Sequence, residues 1–393
     1  MTTYSINHLT EQSSVKVGFR EQLLILLLFI FGLNIPSYSS ISLLCAAVIT
    51  ILLRNKIILK QGILLDTSIL FLFSFLYISI GAYYKLFPIA DMKNGLLFVG
   101  SYLVGYFFAQ QFRNIKLAIM IPLSGFVVFA FMSTYTESKS IGTFPIAHRS
   151  AHSYWSPDVV INGPVYGIYF SLGMAAISLL FTNIKLRYKM LVLLLPIMSI
   201  YGNSALLNRT PMYIGFIVII SCLSIYFFNK KLKLRDYFAF SVVLLLLFYV
   251  YNRYTSFITN SDILQRIFSE ELQSSRYTLW KEGFVGLIMH PLGGLKTELE
   301  GNFTHNFWLD IGNYVGVFPV ILIIVFQIRH ASSILKLIKA NIERYLIVSL
   351  FIAIFVSSFV EPVLIASPVF VAYILYVCGY LKTIQMEQEN LLT

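Results

Sequence analysis

Residues 63–82 read ILLDTSILFLFSFLYISIGA, a stretch in which Asp66 is the one charged side chain. An apolar run of about 20 residues is long enough to cross the hydrocarbon core of a bilayer as an α-helix. Continuous apolar runs recur at 191–196 and 242–250, whereas the strands of a barrel would alternate apolar and polar residues. The sequence therefore predicts membrane-spanning α-helices.

The composition of the whole chain agrees with that interpretation. Of its 393 residues, 58% are hydrophobic and 12% are charged, whereas a soluble domain has about 25% charged residues. The three cysteines, Cys45, Cys222 and Cys378, lie inside apolar runs, so no disulfide framework is expected. The net charge of +11 is explained by the placement of basic loops, and nucleic acid is not an expected partner.

The apolar runs fit twelve spans of about 20 residues each. They are predicted at about 17–35, 38–53, 63–82, 95–111, 115–132, 160–181, 189–207, 211–228, 236–251, 305–328, 344–360 and 363–381. With this count, nineteen of the 29 Lys and Arg residues fall on the side of the N-terminus. Because cytoplasmic loops carry the excess of Lys and Arg, both termini are predicted to be cytoplasmic. The predicted fold class is an all-α polytopic integral membrane protein.

Two loops on the outer side are long, and they divide the chain into three regions. We predict nine spans in residues 1–251, with a shorter outer loop at about 133–159. A large outer loop follows at 252–304, and three further spans with a cytoplasmic tail follow at 305–393. The two halves differ in charge and in loop length, which counts against a transporter built from repeats.

The large outer loop is predicted to contain short amphipathic helices. Apolar residues at helical spacing in 262–272 indicate a helix that lies on the membrane surface. Ser274 and Ser275 are suitable N-caps for a second helix, from Arg276 to about 288. Pro291 would stop that helix, and the two glycines after Leu292 would allow a turn.

The polar residues that stand out map to the outer side. Arg209 lies in a short turn between two spans, and by itself it is typical of an arginine that reaches the lipid head groups. Arg276 and Trp280 are four residues apart and share a helix face. His290 follows that helix, and His305 stands at the mouth of the next span. Head-group contacts, an aromatic belt and an interfacial histidine remain alternative explanations.

The order of these residues resembles the signature of the O-antigen polymerase and ligase superfamily, the Wzy-type proteins. The motifs that carry the resemblance are Arg276-x-x-x-Trp280, His290-Pro291-Leu292-Gly293-Gly294 and His305-Asn306-x-x-Leu309, with Gly316 further on. Arg209 is similar to the other arginine of the family, although Asn208 stands where a serine is usual. The resemblance implies a GT-C-like membrane fold with a large periplasmic loop.

The resemblance also implies a substrate, a place and a set of roles. The substrates would be glycans on undecaprenyl pyrophosphate, transferred at the periplasmic face of a bacterial inner membrane. Arg209 and Arg276 would hold the donor pyrophosphate, because the planar fork of arginine pairs two oxygens and stays charged. His305 would act as a base or would position the acceptor, and Asn306 would orient His305 or bind sugar. No metal or cofactor is expected, and the resemblance suggests a chain-length regulator as a partner.

Other outer residues are weaker candidates. Arg149 is a candidate for contact with glycan or pyrophosphate, and Trp280 and His290 are candidates for substrate binding. His148 and His152 are four apart, as in a helical metal pair, but the sequence offers no third ligand and we predict no metal. Glu361, in a hairpin between two spans, would contact sugar hydroxyls or Arg209, or would lie at the water interface.

The preferred interpretation is a polymerase that joins lipid-linked oligosaccharide repeat units into a surface polysaccharide, either O-antigen or capsule. The nearest alternative is the ligase branch, which transfers the glycan from the lipid to lipid A-core or protein. The alternative from another class is a flippase or transporter for the same units. A flippase would place charges within its spans, whereas the predicted spans contain few, with Asp66 and Asp310 near span ends as exceptions.

Overall fold

The fold is seen in a computed structural model that describes residues 19–36, 38–52, 60–86, 89–182, 184–229, 275–297, 299, 303–361, 363 and 367–392. Within these residues the chain is almost entirely α-helical. The predicted span at 236–251 and the predicted surface helix at 262–272 lie outside the described residues.

The described helices and strands follow one another in this order. They are α1 (Phe19–Gly32), α2 (Tyr38–Leu52), α3 (Gln61–Tyr83), α4 (Ile89–Gln111), α5 (Ile115–Ile141), β1 (Ser150–Ser153), β2 (Ser156–Asn162), α6 (Gly163–Ala175) with a 3-10 turn (Ala176–Phe181), α7 (Leu186–Leu206), α8 (Thr210–Asn229), α9 (Ser275–Met289), α10 (Phe307–Val315), α11 (Val317–Lys339), α12 (Arg344–Val360) and α13 (Pro368–Leu392).

Seven of the described helices are long and apolar enough to cross a membrane, and two shorter ones are also apolar. The seven are α3, α5, α6 with its 3-10 turn, α7, α8, α11 and α13. Large apolar side chains cover their outer surfaces, as at Phe71, Phe216 and Ile328, which are 60%, 65% and 65% exposed. Exposed apolar faces of this extent fit contact with lipid. The all-α membrane class is therefore confirmed, while the count of twelve spans and the large outer loop stay predictions.

Two glycines bring α4 and α13 into direct backbone contact. A Cβ added at Gly105 would come within 2.0 Å of the carbonyl oxygen of Tyr376, and one at Gly379 within 2.1 Å of that of Tyr102. Only residues without a side chain allow helices to approach so closely in a membrane. The pair therefore fixes where these two helices cross.

Tyrosines on α13 join that helix to α5. The hydroxyls of Tyr373 and Tyr376 donate to the carbonyls of Ile119 and Ala118, both at 3.2 Å. Pro122 lies four residues after Ala118 and has no N–H to offer its carbonyl. Because an unpaired carbonyl is costly in hydrocarbon, the Tyr376 hydroxyl replaces the helical hydrogen bond that proline removes.

The segment after α5 differs from the predicted outer loop. The predicted span ends at 132, but α5 continues to Ile141 and stops at Gly142, which has a left-handed φ of 72°. The next residues form an antiparallel hairpin in which Ser150 pairs with Asn162. A two-stranded hairpin packed on a helical frame was not predicted from the sequence.

The span predicted at 305–328 is two helices, α10 and α11, separated by Gly316. This glycine has a φ of 88°, and a Cβ there would lie 2.5 Å from the carbonyl oxygen of Pro291. The turn after α9 supplies hydrogen bonds at the break, since Val317 N–H donates to Pro291 and Gly294 N–H donates to Tyr314, at 2.8 and 2.9 Å. The second helix, α11, continues to Lys339, past the predicted end of the span at 328.

Candidate functional site

The ends of several elements meet around Glu361, the residue that follows the last residue of α12. Its carboxylate is almost completely buried, and Oε1 accepts a 2.9 Å hydrogen bond from the Thr210 hydroxyl. Arg276, at the start of α9, donates from Nη2 to Oε1 and Oε2 at 3.3 and 3.4 Å. Residues more than 150 positions apart in the sequence thus meet at one ion pair.

Burial and nearby cations act on Glu361 in opposite directions. Burial raises the pKa of this carboxyl, while Arg276, the Thr210 hydroxyl and Arg149 lower it. Burial is the larger effect, so the pKa lies above the ordinary value for glutamate. The charge of Glu361 therefore depends on the arginines that face it.

Backbone hydrogen bonds hold Arg149 near this ion pair, and Arg209 adjoins it through the sequence. Gly163 N–H donates to the carbonyl of Arg149 at 2.8 Å, and the Asn208 side chain donates to the carbonyl of Gly163 at 2.7 Å. Arg149 itself donates from Nε to the carbonyl of Leu206 at 3.4 Å. Arg209 stands between Asn208 and Thr210, so it adjoins the residue that bonds Glu361. Asn208 therefore has a structural role here.

His305 lies beside Arg276 in a strained turn before α10. Its backbone has a φ of 56°, a left-handed conformation that residues other than glycine rarely adopt. Burial, together with the charge of Arg276, lowers the pKa of the imidazole to about 4. His305 is therefore neutral at pH 7, and its buried Nδ1 has no hydrogen-bond partner among the described residues.

Asn306 is a structural link as well as a neighbour of His305. Its side-chain oxygen accepts from the N–H groups of Trp308 and Leu309, both at 3.2 Å, and so caps α10. Its amide nitrogen donates to the carbonyl of Phe359 at 3.3 Å. Both ends of the amide are engaged, which accounts for asparagine at this position without a sugar contact.

Trp280 lies one turn after Arg276 and forms part of an aromatic groove. Its ring packs edge-on against Phe359 with centroids 4.9 Å apart, and its buried Nε1 has no partner within the described part of the chain. The groove has a volume of about 470 Å³. It is lined by Tyr277, Trp280, Lys281, Phe284, Asn306, Trp308, Leu309 and Phe359.

His290 is not brought to this site. It follows the last residue of α9, fourteen positions after Arg276, which corresponds to roughly 20 Å along a helix axis. Its carbonyl accepts from Gly293 N–H at 2.9 Å, in the turn that packs against Gly316. In the structure this histidine belongs to the turn that stabilises the break between α10 and α11.

His148 and His152 do not lie on a helix. His152 is in β1, and both imidazoles contact Glu137 on α5, from His148 Nε2 at 3.5 Å and from His152 Nδ1 at 2.7 Å. The sequence missed Glu137 because the predicted span stopped five residues before it. Across the described ranges, no group of three such side chains converges on a point suited to a metal ion.

A second ionic cluster lies within the helices, where the sequence led us to expect few charges. Asp66 is fully buried, pairs with Arg329 through Oδ1, and accepts a 3.2 Å bond from the Tyr102 hydroxyl through Oδ2. His330 Nε2 lies 3.3 Å from the same hydroxyl. Arg329 was predicted in an inner loop, and the extension of α11 instead places it inside a helix.

Comparisons with known proteins do not assign this chain to a family. Neither the scan against protein-family models nor the search of curated proteins finds a match. The geometry of the site therefore carries the functional argument.

Proposed function

We propose that this protein is a glycosyltransferase that polymerises undecaprenyl-pyrophosphate-linked oligosaccharide repeat units at the periplasmic face of the inner membrane. The observation that carries the proposal is the group of polar atoms around Arg276. His305 Nδ1 and Trp280 Nε1 are buried near this arginine without partners among the described residues. Buried polar atoms in native proteins nearly always have partners, so an anionic ligand with several oxygen acceptors would complete this site.

The donor pyrophosphate is the ligand that the charges favour. Arg276 contacts Glu361 through Nη2, and a guanidinium has five N–H donors, so it can bind phosphate oxygens through its other donors. Arg149, which acts electrostatically on the same carboxylate, and Arg209, which precedes Thr210 in the chain, would add positive charge. Cations fixed in a partly buried site stabilise the charge that grows on a leaving pyrophosphate.

The aromatic groove beside Arg276 suits the lipid part of such a donor. Its walls are mainly aromatic and aliphatic, with Lys281 as the basic side chain among the lining residues. A polyprenyl chain attached to a pyrophosphate at Arg276 would bury apolar surface there at about 25 cal/mol per Å². In this proposal His305 acts as a base or positions the acceptor, and Asn306 supports it from the cap of α10.

Two other functions remain as alternatives. A ligase that transfers the glycan to lipid A-core or protein would use the same donor site. A flippase or transporter is favoured by a different observation, the buried cluster of Asp66, Arg329 and His330, because ionisable residues within spans often mark transport pathways. The unpartnered polar atoms at Arg276 favour the enzyme.

The test is complementation of a strain that lacks the gene, followed by electrophoresis of its surface polysaccharide. We expect Arg276→Ala and Arg276→Lys to give a single repeat unit instead of a ladder, since lysine keeps the charge but not the fork. Lys139→Ala is the matched control, because Lys139 is an exposed cation at the outer end of α5. A wild-type ladder from Arg276→Ala would refute the proposal.

The phenotype of the deletion strain separates the three functions. Loss of the polymerase leaves one repeat unit on the core, whereas loss of a ligase leaves lipid-linked polymer and bare core. Loss of a flippase leaves bare core with single units trapped on the inner face. Either of the last two phenotypes would replace the polymerase with that alternative.

A further inference from the structure

Glu137 and His152 form a hydrogen-bonded pair that is separate from the proposed donor site at Arg276. Glu137 lies in the last turns of α5 with a side chain 7% exposed, while the side chain of His152 is 49% exposed. One oxygen, Oε2, receives both the imidazole at 2.7 Å from Nδ1 and the backbone N–H of His152 at 3.1 Å. The carboxylate thus fixes both the ring and the strand that carries it.

This pairing sets the tautomer of the imidazole. A carboxylate accepts hydrogen bonds, so the proton of a neutral His152 resides on Nδ1 and the lone pair on Nε2. Nε2 makes no hydrogen bond within the described part of the chain. A carboxylate that orients a histidine in this way, with the other nitrogen open, is the arrangement that general bases use.

The hairpin connects this pair to the ion-pair site. His152 follows Arg149 by three residues, and an extended chain rises about 3.3 Å per residue, so the Cα atoms of the two residues are at most about 10 Å apart. The charge of Arg149 acts on Glu361, and the carbonyl of Arg149 accepts a hydrogen bond from Gly163 N–H. At the far end of the hairpin, Trp155 donates from Nε1 to the carbonyl of Leu33 at 2.9 Å. Both ends of the hairpin are thus anchored to the helical frame.

We propose that His152, oriented by Glu137, is the general base that removes the proton from the acceptor hydroxyl. This inference rests on the proposed function and assigns the acceptor side of the same reaction. The acceptor would lie along the hairpin. Tyr154, two residues after His152, is 40% exposed there. The donor would lie at Arg276.

The transfer balances without a further reactant. The acceptor hydroxyl gives its proton to Nε2 of His152, and its oxygen forms the bond to the anomeric carbon of the donor glycan. The bond from that carbon to the pyrophosphate breaks, and the lipid pyrophosphate leaves with the electron pair toward Arg276. The imidazolium, paired with Glu137, then releases its proton to water.

The surroundings of His152 and His305 decide which of the two histidines acts as the general base. His305 is buried beside a cation, and its pKa of about 4 makes it a weak base at neutral pH. His152 is half exposed and faces a carboxylate. Of the two roles proposed for His305, positioning of the acceptor is therefore the one assigned to it, and His152 takes the proton.

The experiment uses the purified full-length protein in lipid nanodiscs and lipid-linked repeat units extracted from the deletion strain. We expect His152→Ala to lower the rate of polymer formation by about 10²–10⁴-fold, the usual contribution of a general base. Added imidazole is expected to restore part of that rate in His152→Ala and none of it in His305→Ala. Rescue by imidazole requires a missing base, and a merely structural role of His152 would not produce it.

Two further variants test how the pair works. His148→Gln is the matched control, because His148 contacts the other oxygen of Glu137 at a longer 3.5 Å, and its rate is expected to stay near the wild-type value. Glu137→Gln is expected to lower kcat with little change in KM, since Glu137 is a positioning residue that acts through His152. A rate for His152→Ala equal to that of His148→Gln would overturn the assignment.

The outcomes separate this inference from the proposed function. If the wild-type protein makes no polymer from the extracted units, the proposed function fails. If the wild type is active, Arg276→Ala is inactive and His152→Ala is fully active, the inference alone fails. Should the His152 variants not fold, the wild type is treated with diethyl pyrocarbonate and the acylated site is located by mass spectrometry. Turnover by protein acylated at His152 would then overturn the inference.

Discussion

Replacing Glu361 by glutamine is expected to tighten the binding of the donor pyrophosphate. Glu361 lies 3.3 Å from Arg276 Nη2, and a phosphate oxygen on the other side of the guanidinium would lie about 6.6 Å from the carboxylate, by doubling that distance. With an effective dielectric constant of about 20, two unit charges at this separation repel by roughly 2.5 kcal/mol. Removal of the carboxylate charge therefore predicts binding tighter by up to about 70-fold.

The assay is titration of the purified wild type and Glu361→Gln with undecaprenyl pyrophosphate in nanodiscs, followed by thermophoresis. Thr210→Val is the control, because it removes the 2.9 Å hydrogen bond to Glu361 but keeps the charge. Its affinity is expected to change far less than that of Glu361→Gln. Weaker binding by Glu361→Gln than by the wild type would refute the electrostatic reasoning.

The same carboxylate predicts a dependence on pH whose sign is fixed. Because burial raises the pKa of Glu361 in the folded protein, the folded state binds more protons than the unfolded state between the two pKa values. The contribution of Glu361 to the free energy of unfolding therefore rises as the pH falls through the folded pKa. Donor binding by the wild type is expected to tighten over the same window relative to Glu361→Gln, whose side chain does not titrate.

Three further variants probe the frame around the site. Asn306→Ala removes the cap of α10 and is expected to cost about 0.5–2 kcal/mol of stability, measured as a lower melting temperature in detergent. Tyr376→Phe leaves the carbonyl of Ala118 unpaired and is expected to cost about 1–3 kcal/mol. The same change should cost less in a Pro122→Ala background, and equal costs in both backgrounds would contradict the proposed replacement bond. The pKa of His305 is lowered from 6.5 to about 4, so its folded state binds fewer protons and the wild type loses stability as the pH falls from 6.5 toward 4. His305→Gln should lose less in a melting series over that range.

The sequence predicted the class of fold because hydrophobic periodicity and length are local properties. It also predicted Arg276, His305 and Glu361 on one side of the membrane, since the charge of each loop can be counted without knowing any contact. In the structure Arg276 lies near both of the other residues. The partners of these residues could not be predicted in this way. Thr210 is 151 positions from Glu361, and nothing in its neighbours marks it as the hydroxyl that bonds a carboxylate.

The misplaced elements share one physical cause, which is that apolar runs do not reveal breaks or extensions. The run at 305–328 looks continuous, yet Gly316 divides it because the turn after α9 fills the space a side chain would need. α5 passes its predicted end at 132 because Ser133 and Glu137 are buried and accept hydrogen bonds from the hairpin. Only the packing of the hairpin, which lies later in the chain, makes those polar residues part of a helix.

The contact between α13 and the first half of the chain has a consequence for biosynthesis. Tyr376 is synthesised 258 residues after the carbonyl of Ala118 with which it bonds. At about 5–20 residues per second, a nascent chain would wait roughly 13–50 s before this carbonyl finds its donor. During that interval the surface of α4 around Gly105 is not yet covered by α13, the helix that packs against it in the folded protein. The N-terminal helices therefore need the insertion machinery, or another occupant, to shield that face until the last helix leaves the ribosome.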